Sequence, residues 1–304
     1  ARADLTGLAL ELAQWGAEPE ALAFFSPPPE GALAEARALL SDLGALDGAG
    51  RMTDHGAALA RLPLHPRLAH MALVAGRQAA PLAALLADRD PLRGVGVDLA
   101  LRLAALRDPG GAPPPARPAL SRIASDARRL AKRLRDESPP MAPGEMAALA
   151  YPDRIGLRRP GDDPRWLLSG GRGAAMDAAD PLASARLIVA TDLDGAGREA
   201  RIRLAVEIGE AELRAVAGDR IAWAEVCAWS RRDRKVLARR QERLGALVLR
   251  DAHWRDVDPV AVAAAALDGA RDLGLATLGG QKGLGLLRAR LAVARADGSN
   301  DGAS

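Results

Sequence analysis

Leu43-Gly44-Ala45-Leu46-Asp47-Gly48-Ala49-Gly50-Arg51-Met52-Thr53-Asp54-His55-Gly56, followed by Leu62-Pro63-Leu64-His65-Pro66-Arg67-Leu68-Ala69-His70-Met71, is the stretch whose reading decides the fold. Leu46 to Met52 reads as a tight hairpin, with glycines where positive φ is required. Thr53 is placed to cap a helix that ends before Pro63. Upstream, Leu33, Ala36, Leu40 and Leu43 mark one face of a helix over 30–43. Leu5, Leu8, Leu12 and Trp15 mark an earlier helix over 5–16, which Gly16 closes. Between them Phe24-Phe25-Ser26-Pro27-Pro28-Pro29 is a stop and then extended chain. Helix, helix, small hairpin, helix is the outline of a winged-helix unit.

Downstream, the chain from 66 to about 136 reads as helices only, over 66–78, 81–88, 97–107 and 119–136. The last carries Leu120, Ile123, Ala127, Leu130 and Leu134 as an apolar seam, with Arg122, Arg128, Arg129, Lys132, Arg133 and Arg135 around it. Pro109 to Pro115 is expected to be an exposed, mobile linker. After a short helix at 144–150 the period shortens to two. Strands are expected at 154–158, 166–169, 185–190 and 200–206, with Thr191 to Gly197 as a turn. A helix at 209–217 follows, then strands near 220–229, 234–241 and 245–250. A small antiparallel sheet with one inserted helix is the OB-like pattern. Two further helices, 258–273 and 284–296, and a disordered tail from Ala296 complete the expectation.

Length and composition agree with this plan. A chain of 304 residues, 49% hydrophobic and 27% charged, has the make-up of a folded protein of two or three domains. No run approaches the ~20 apolar residues that span a bilayer, so no transmembrane helix is expected, and the low cysteine use fits the expected cytoplasmic location without membrane contact. The single Cys227 rules out an intramolecular disulfide and any multi-cysteine metal site. The start at Ala1 shows neither an initiator Met nor a signal-peptide pattern, so the chain is expected to begin inside a longer protein.

The net charge of +3 hides a marked asymmetry. Residues 1–60 hold Arg2, Arg37 and Arg51 against nine acids. Residues 117–137 hold seven cations and three acids, and residues 230–243 hold seven and two. Such runs suit an anionic partner such as phosphate, or are simply solvated faces. Only Lys132, Lys235 and Lys282 are lysines among 42 basic residues, a bias that a GC-rich genome also produces. Aromatics at 3% leave no platform of several stacked rings.

Catalytic chemistry is hard to find. Gly279-Gly280-Gln281-Lys282-Gly283 has Gln281 and Gly283 where a phosphate loop needs Gly before and Ser or Thr after its Lys. Asp192 and Asp194 before Gly195 lack the third acid and the closing Glu of a calcium loop. His65 and His70 are five residues apart, off the i, i+4 spacing of helical zinc ligands. No Ser/His/Asp set has a nucleophile context.

The quoted stretch, with Phe25-Ser26-Pro27-Pro28-Pro29 and Ala34 to Leu40 before it, resembles the region that follows the motor core of DEAH-box helicases. Leu85-Leu86-Ala87-Asp88-Arg89-Asp90-Pro91-Leu92, Asp98 to Leu103, Ala150-Tyr151-Pro152-Asp153-Arg154-Ile155 and Leu168-Ser169-Gly170-Gly171-Arg172-Gly173-Ala174 are similar to the bacterial HrpB branch of that family. The likeness covers about 1–275. It implies a multidomain α+β chain: linker helix and winged helix over 1–62, an HA2-like helical ratchet over 63–138, an OB-like β-domain over 139–255, and over 256–304 the start of the branch's C-terminal region. It implies the accessory part of an ATP-dependent helicase that lines the exit path of a single strand, with RNA as the expected species. The two RecA-like motor domains, with their ATP and Mg²⁺, should precede Ala1 and act in cis. No catalytic residue, cofactor site or metal site carries over to this chain.

Candidate nucleic-acid contacts are Arg89, Arg154, Arg158, Gly171 and Arg172. Gly170 and Gly171 would let a phosphate approach the backbone and Arg172 would pair with it, or the segment is a plain turn. Arg154 and Arg158 should share a strand face, or pair with Asp153, Asp162 and Asp163. Arg89 equally suits a helix-end cap. Tyr151 and Trp166 are either stacking or core residues. The alternative function is a free-standing winged-helix adaptor for duplex DNA or a protein. Against it, residues 30–43 offer only Arg37 beside Glu30, Glu35 and Asp42.

Overall fold

The computed structural model describes residues 4–274 apart from 93, 136–137, 196 and 198. Two compact units emerge. One holds the described residues up to Ile221 together with Leu244–Leu247; the other holds Ala222–Arg243 and the described residues from Val248 onward.

In the first unit, α1 (Thr6–Trp15) ends at Gly16, whose φ of 64° closes the last turn. α2 (Glu30–Asp42) buries Leu33, Ala36, Leu39 and Leu40. Leu46 bridges to Met52, and Asp47 accepts the N–H groups of Ala49 and Arg51 to hold the turn between them. Thr53 caps α3 (Asp54–Ala60) by accepting from the Gly56 N–H at 3.0 Å while its hydroxyl donates to Gly44 O at 2.7 Å. Position 56 needs glycine, because a Cβ there would stand 2.3 Å from Ala45 O. Leu10, Leu12, Leu33, Leu40, Leu46 and Leu59 form the core of this part.

α4 (Pro66–Ala75), α5 (Ala80–Leu86), α6 (Leu99–Arg107), α7 (Arg117–Ala131) and α8 (Pro143–Ala150) follow. The seam on α7 is buried as its spacing requires: Leu120, Ile123, Ala127 and Leu130 face inward. Fully burying such an aliphatic side chain contributes roughly 1.5–3 kcal/mol. The helix stops at Ala131, short of the expected 136. The expected linker at 109–115 is largely exposed, with one buried residue and a short ordered turn at its end. Ala112 and Ala116 are buried, Pro114–Ala116 forms a 3-10 turn, and Arg117 Nε donates to Ala112 O at 2.9 Å.

The strands of this unit are β1 (Ile155–Arg158), β2 (Arg165–Leu168), β3 (Gly173–Ala175), β4 (Leu187–Asp194) and β5 (Glu199–Glu207), followed by α9 (Glu210–Ala217). They close into a barrel in the order β1-β2-β3-β5-β4. Trp166, Leu168, Ala174, Ile188 and Ile202 fill it, and Trp166 Nε1 donates to Ala185 O at 3.2 Å. Trp166 is therefore a core residue. The antiparallel expectation is corrected at β3, which pairs with β5 in parallel. The expected turn at 191–197 is corrected as well: β4 continues through Thr191 to Asp194, with a register shift between Ala190 and Asp192.

The three later strands join no part of that barrel. In the second unit β6 (Ala222–Ser230), β7 (Lys235–Leu244) and β8 (Leu247–His253) make a separate sheet in that order. α10 (Pro259–Leu273) lies on the Trp229 side of β6, so close that a Cβ on Gly269 would stand 2.5 Å from the indole ring. Among the described residues no helix is long and apolar enough to cross a membrane. The readings for 279–283, 284–296 and the tail lie outside the described residues.

Candidate nucleic-acid interface

A group of interacting charges gathers where α4 meets the chain entering β1. Arg67 sits in the first turn of α4 with its side chain buried. It donates to Ala150 O at 3.2 Å and to both carboxylate oxygens of Asp153, at 2.5 and 3.0 Å. Tyr151 lies within reach of two guanidinium groups: Arg67 Cζ is 5.3 Å and Arg154 Cζ 5.1 Å from its ring centroid. Arg154 also donates to Thr191 O at 3.3 Å, and its Nε stays 3.8 Å from Asp153.

Burial pushes the Asp153 carboxyl up, but the hydrogen bonds and charge of Arg67, joined by the charge of Arg154, outweigh it and hold the group below its ordinary range. Burial raises the Tyr151 hydroxyl against the opposing pull of both arginines. Burial and then the neighbouring Arg67 lower the Arg154 guanidinium. Because Arg67 claims Asp153, Arg154 holds the surplus positive charge of the group.

Beside this group His65 accepts the Arg67 N–H on Nδ1 at 3.3 Å, which leaves the proton on Nε2, 3.3 Å from Asp4. The nearby His65 ring is the largest influence on the Asp4 carboxyl and, with the hydrogen bonds from Thr6, holds it far below the usual carboxylate range. A hollow of about 640 Å³ opens here, lined by Asp4, His65, Arg67, Tyr151 and Arg154 among others. Leu86 and Tyr151 also wall a second hollow of about 270 Å³ with Asp88, Asp90 and Asp192. Asp88 and Asp90 in turn wall a third of about 680 Å³ that includes Arg89. The three hollows share walls in succession, from Arg154 to Arg89.

The acids along this series are largely engaged. Asp88 pairs with Arg122 at 2.8 Å. Asp90 pairs with Arg102, a buried residue whose guanidinium also donates to Val95 O, Asp98 O, Leu92 O and Gly96 O. Arg102 thereby shapes the loop that presents Arg89. Among the described residues no group of three His, Cys, Asp or Glu side chains is set to hold a metal ion.

The five residues singled out from sequence separate into two groups. Arg154 and Arg89 lie on the series of hollows, and the Arg89 side chain is exposed. Arg158 sits at the far end of β1, donating to the carbonyls of Ala183, Gly161 and Asp162 at 3.1–3.2 Å. Those partners are backbone oxygens, where sequence reasoning offered the carboxylates. Gly171 is in the hairpin turn joining β2 to β3. Its φ is 89° and its N–H donates to Leu168 O at 2.8 Å, so that amide is already engaged. Arg172 donates to Gly195 O, tying this turn to the one after β4, while its Nε is buried without a partner among the described residues. Sequence reasoning offered Asp153 as a partner for Arg154, a contact the structure holds at 3.8 Å, but missed Arg67 and His65 as members of the group. The His65-Pro66-Arg67 segment was visible, but nothing in it pointed to a partner 86 residues away.

The fold of this chain is shared with solved helicase structures. The chain is similar to two crystal structures of Escherichia coli HrpB. One is described as a DExH-box NTPase, with a TM-score of 0.71, 30% identity, and coverage of 90% of this chain and 33% of that one. The other is described as a DEAH/RHA helicase, with a TM-score of 0.70, 28% identity, and coverage of 91% and 34%. In sequence the chain is 31% identical over 306 residues to the ATP-dependent RNA helicase HrpB of Escherichia coli strain K12, covering 96% of this chain and 36% of that protein. The likeness to the HrpB branch read from the sequence is thus present in sequence and in fold. The chain spans about a third of the length of the relatives it matches. No protein-family model matches it.

Proposed function

We propose that the chain is the nucleic-acid-binding accessory region of an HrpB-like ATP-dependent RNA helicase, working with RecA-like motor domains in cis. The observation that carries this reading is the match of nearly the whole chain, in sequence and in fold, to a third of HrpB. In this reading residues 1–62 are a linker helix and winged helix, 63–138 a ratchet, the barrel-bearing part of 139–255 an OB-like domain and 256–304 the start of a C-terminal region, with the β6–β8 sheet part of a separate unit. ATP and Mg²⁺ are bound and used by the motor domains. The part played by this chain is to guide a single strand along the hollows between Arg154 and Arg89, with phosphates held by arginine and no base read.

The adaptor alternative gains nothing from the geometry. Arg37, the one cation on α2, pairs with Glu18 at 2.6 Å, leaving that helix without a free basic side chain for a duplex groove. Equilibrium binding of the 304-residue chain to labelled 20-nucleotide single-stranded RNA and to duplex DNA of the same length separates the two. Tighter binding to the single strand supports the exit-path reading; tighter binding to the duplex supports the adaptor.

A further inference from the structure

The basic run at 230–243 has no part in the hollows of the first unit. It runs from the turn between β6 and β7 along β7, the middle strand of the sheet in the second unit. β6 and β7 pair in unbroken antiparallel register from Ala222↔Arg243 to Ser230↔Lys235. At ~3.4 Å per residue, the β6–β7 ribbon is about 27 Å long. Its tip is Arg231-Arg232-Asp233-Arg234.

The charges at the tip are only partly compensated, leaving a net positive apex even with Asp233 among them. Asp233 is held by Ser230, whose hydroxyl donates to the carboxylate at 2.9 Å and accepts the Asp233 N–H at 3.1 Å. Arg231 pairs with Asp272 at 3.0 Å. Arg232, Arg234 and Lys235 are exposed, and among the described residues their side chains have no hydrogen-bond or ion-pair partner. Three free cations within four residues suit a chain that carries one negative charge every ~3.4 Å per strand.

The backbone at the tip points the same way. Arg234 has φ of 50° and is the non-glycine residue with positive φ among those described. An L side chain is crowded in that conformation and glycine is not, so the fold gains nothing by keeping an arginine there. A guanidinium at the apex is the feature that the arginine adds.

Further along the same ribbon Trp223 is 47% exposed. Arg240 lies 5.5 Å over its ring and 4.0 Å from Glu225, whose cross-strand partner it is. An exposed indole backed by a guanidinium is a flat surface on which a base of any identity stacks.

We propose that the β6–β7 ribbon is a second nucleic-acid contact, in which Arg232, Arg234 and Lys235 hold the sugar–phosphate backbone and Trp223 stacks on a base. It belongs to the second unit and does not depend on Arg154 or Arg89 touching nucleic acid. Charge and stacking leave different signatures. Neutralised phosphates set the salt dependence, with a slope of log K on log salt of about −0.7 each for single strands. Stacking changes affinity and leaves that slope alone.

The test is fluorescence anisotropy of the 304-residue chain with fluorescein-labelled oligo-U of 20 nucleotides across a salt series, repeated with an RNA stem-loop and with labelled poly-glutamate. The triple variant Arg232→Ala, Arg234→Ala, Lys235→Ala should lose about 2 from the magnitude of the slope. Arg234→Gly alone should lose up to ~0.7 while relieving the crowded backbone, so its loss is not one of folding. Arg232→Lys with Arg234→Lys should retain the slope. Trp223→Ala should bind several-fold more weakly at an unchanged slope. An unchanged slope in the triple variant overturns the phosphate contact, and unchanged affinity in the Trp223 variant overturns the stacking. Equal affinity and slope for poly-glutamate overturn nucleic acid as the partner. The stem-loop arm tells a single-strand contact from one that accepts either form of RNA.

Discussion

Arg67 holds Asp153 through both carboxylate oxygens, 2.5 and 3.0 Å away, across 86 residues of chain. The pair fastens the first turn of α4 to the segment entering β1, and so joins the helical part of the first unit to its barrel. Breaking a buried pair strands the remaining charge. Arg67→Met should cost about 3 kcal/mol, the bottom of the usual range because Asp153 keeps some contact with solvent. Adding Asp153→Leu should restore much of that loss, since the stranded carboxylate is then gone. Urea unfolding of the two variants checks both numbers.

His55 Nε2 and His70 Nδ1 are 2.8 Å apart, joining α3 to α4 through a neutral pair. Burial, then the charge of His55, pushes His70 down to about 4; burial also lowers His55. The unfolded chain therefore takes up protons that the folded chain refuses between the ordinary histidine value and about 4. Stability should fall as pH drops from 7 through that window, by roughly 1–3 kcal/mol, and level off below it as far as these groups are concerned. Denaturation curves at pH 7.5 and 4.5 measure the loss, which His70→Gln should reduce.

Arg172 joins two turns of the barrel through Gly195 O. If it also holds a phosphate, Arg172→Ala should shrink the salt slope for single-stranded RNA by up to ~0.7, with sequence preference unchanged. A salt series on that variant reads the slope directly. A constant slope leaves Arg172 as a turn residue.

In the proposed division of labour, nucleotide hydrolysis belongs to the motor domains. The purified chain should therefore release phosphate from radiolabelled ATP, with or without RNA, no faster than a blank without protein. Sustained turnover would contradict that division.

The helical half of the first unit was legible because its signals are local. Thr53 caps α3, Gly16 closes α1, and the seam on α7 is buried where its spacing puts it. The barrel was legible in its longer strands and not in its closure. Gly173-Ala174-Ala175 has no strand pattern of its own; it becomes β3 by pairing with β2 on one side and, in parallel, with β5 on the other. Asp192, Asp194 and Gly195 read as turn chemistry, yet Asp194 sits on a strand, where Arg203 offsets its charge. The Arg67–Asp153 pair was hidden by its separation, because no short-range rule links two such residues. Arg158 donates to three backbone carbonyls that only the folded loops bring near, partners that no sequence spacing pointed to.

The central claim is that the hollows from Arg154 to Arg89 carry a single strand. Anisotropy of the 304-residue chain with labelled 20-nucleotide single-stranded RNA, from 50 to 300 mM salt, tests it most directly when Arg154→Gln and Arg89→Ala are compared with the unaltered chain. Each variant should bind more weakly at low salt, and each should reduce the magnitude of the slope by up to ~0.7, the two effects adding in the double variant. Unaltered affinity and slope in the double variant, with the unaltered chain still binding RNA, would contradict the account.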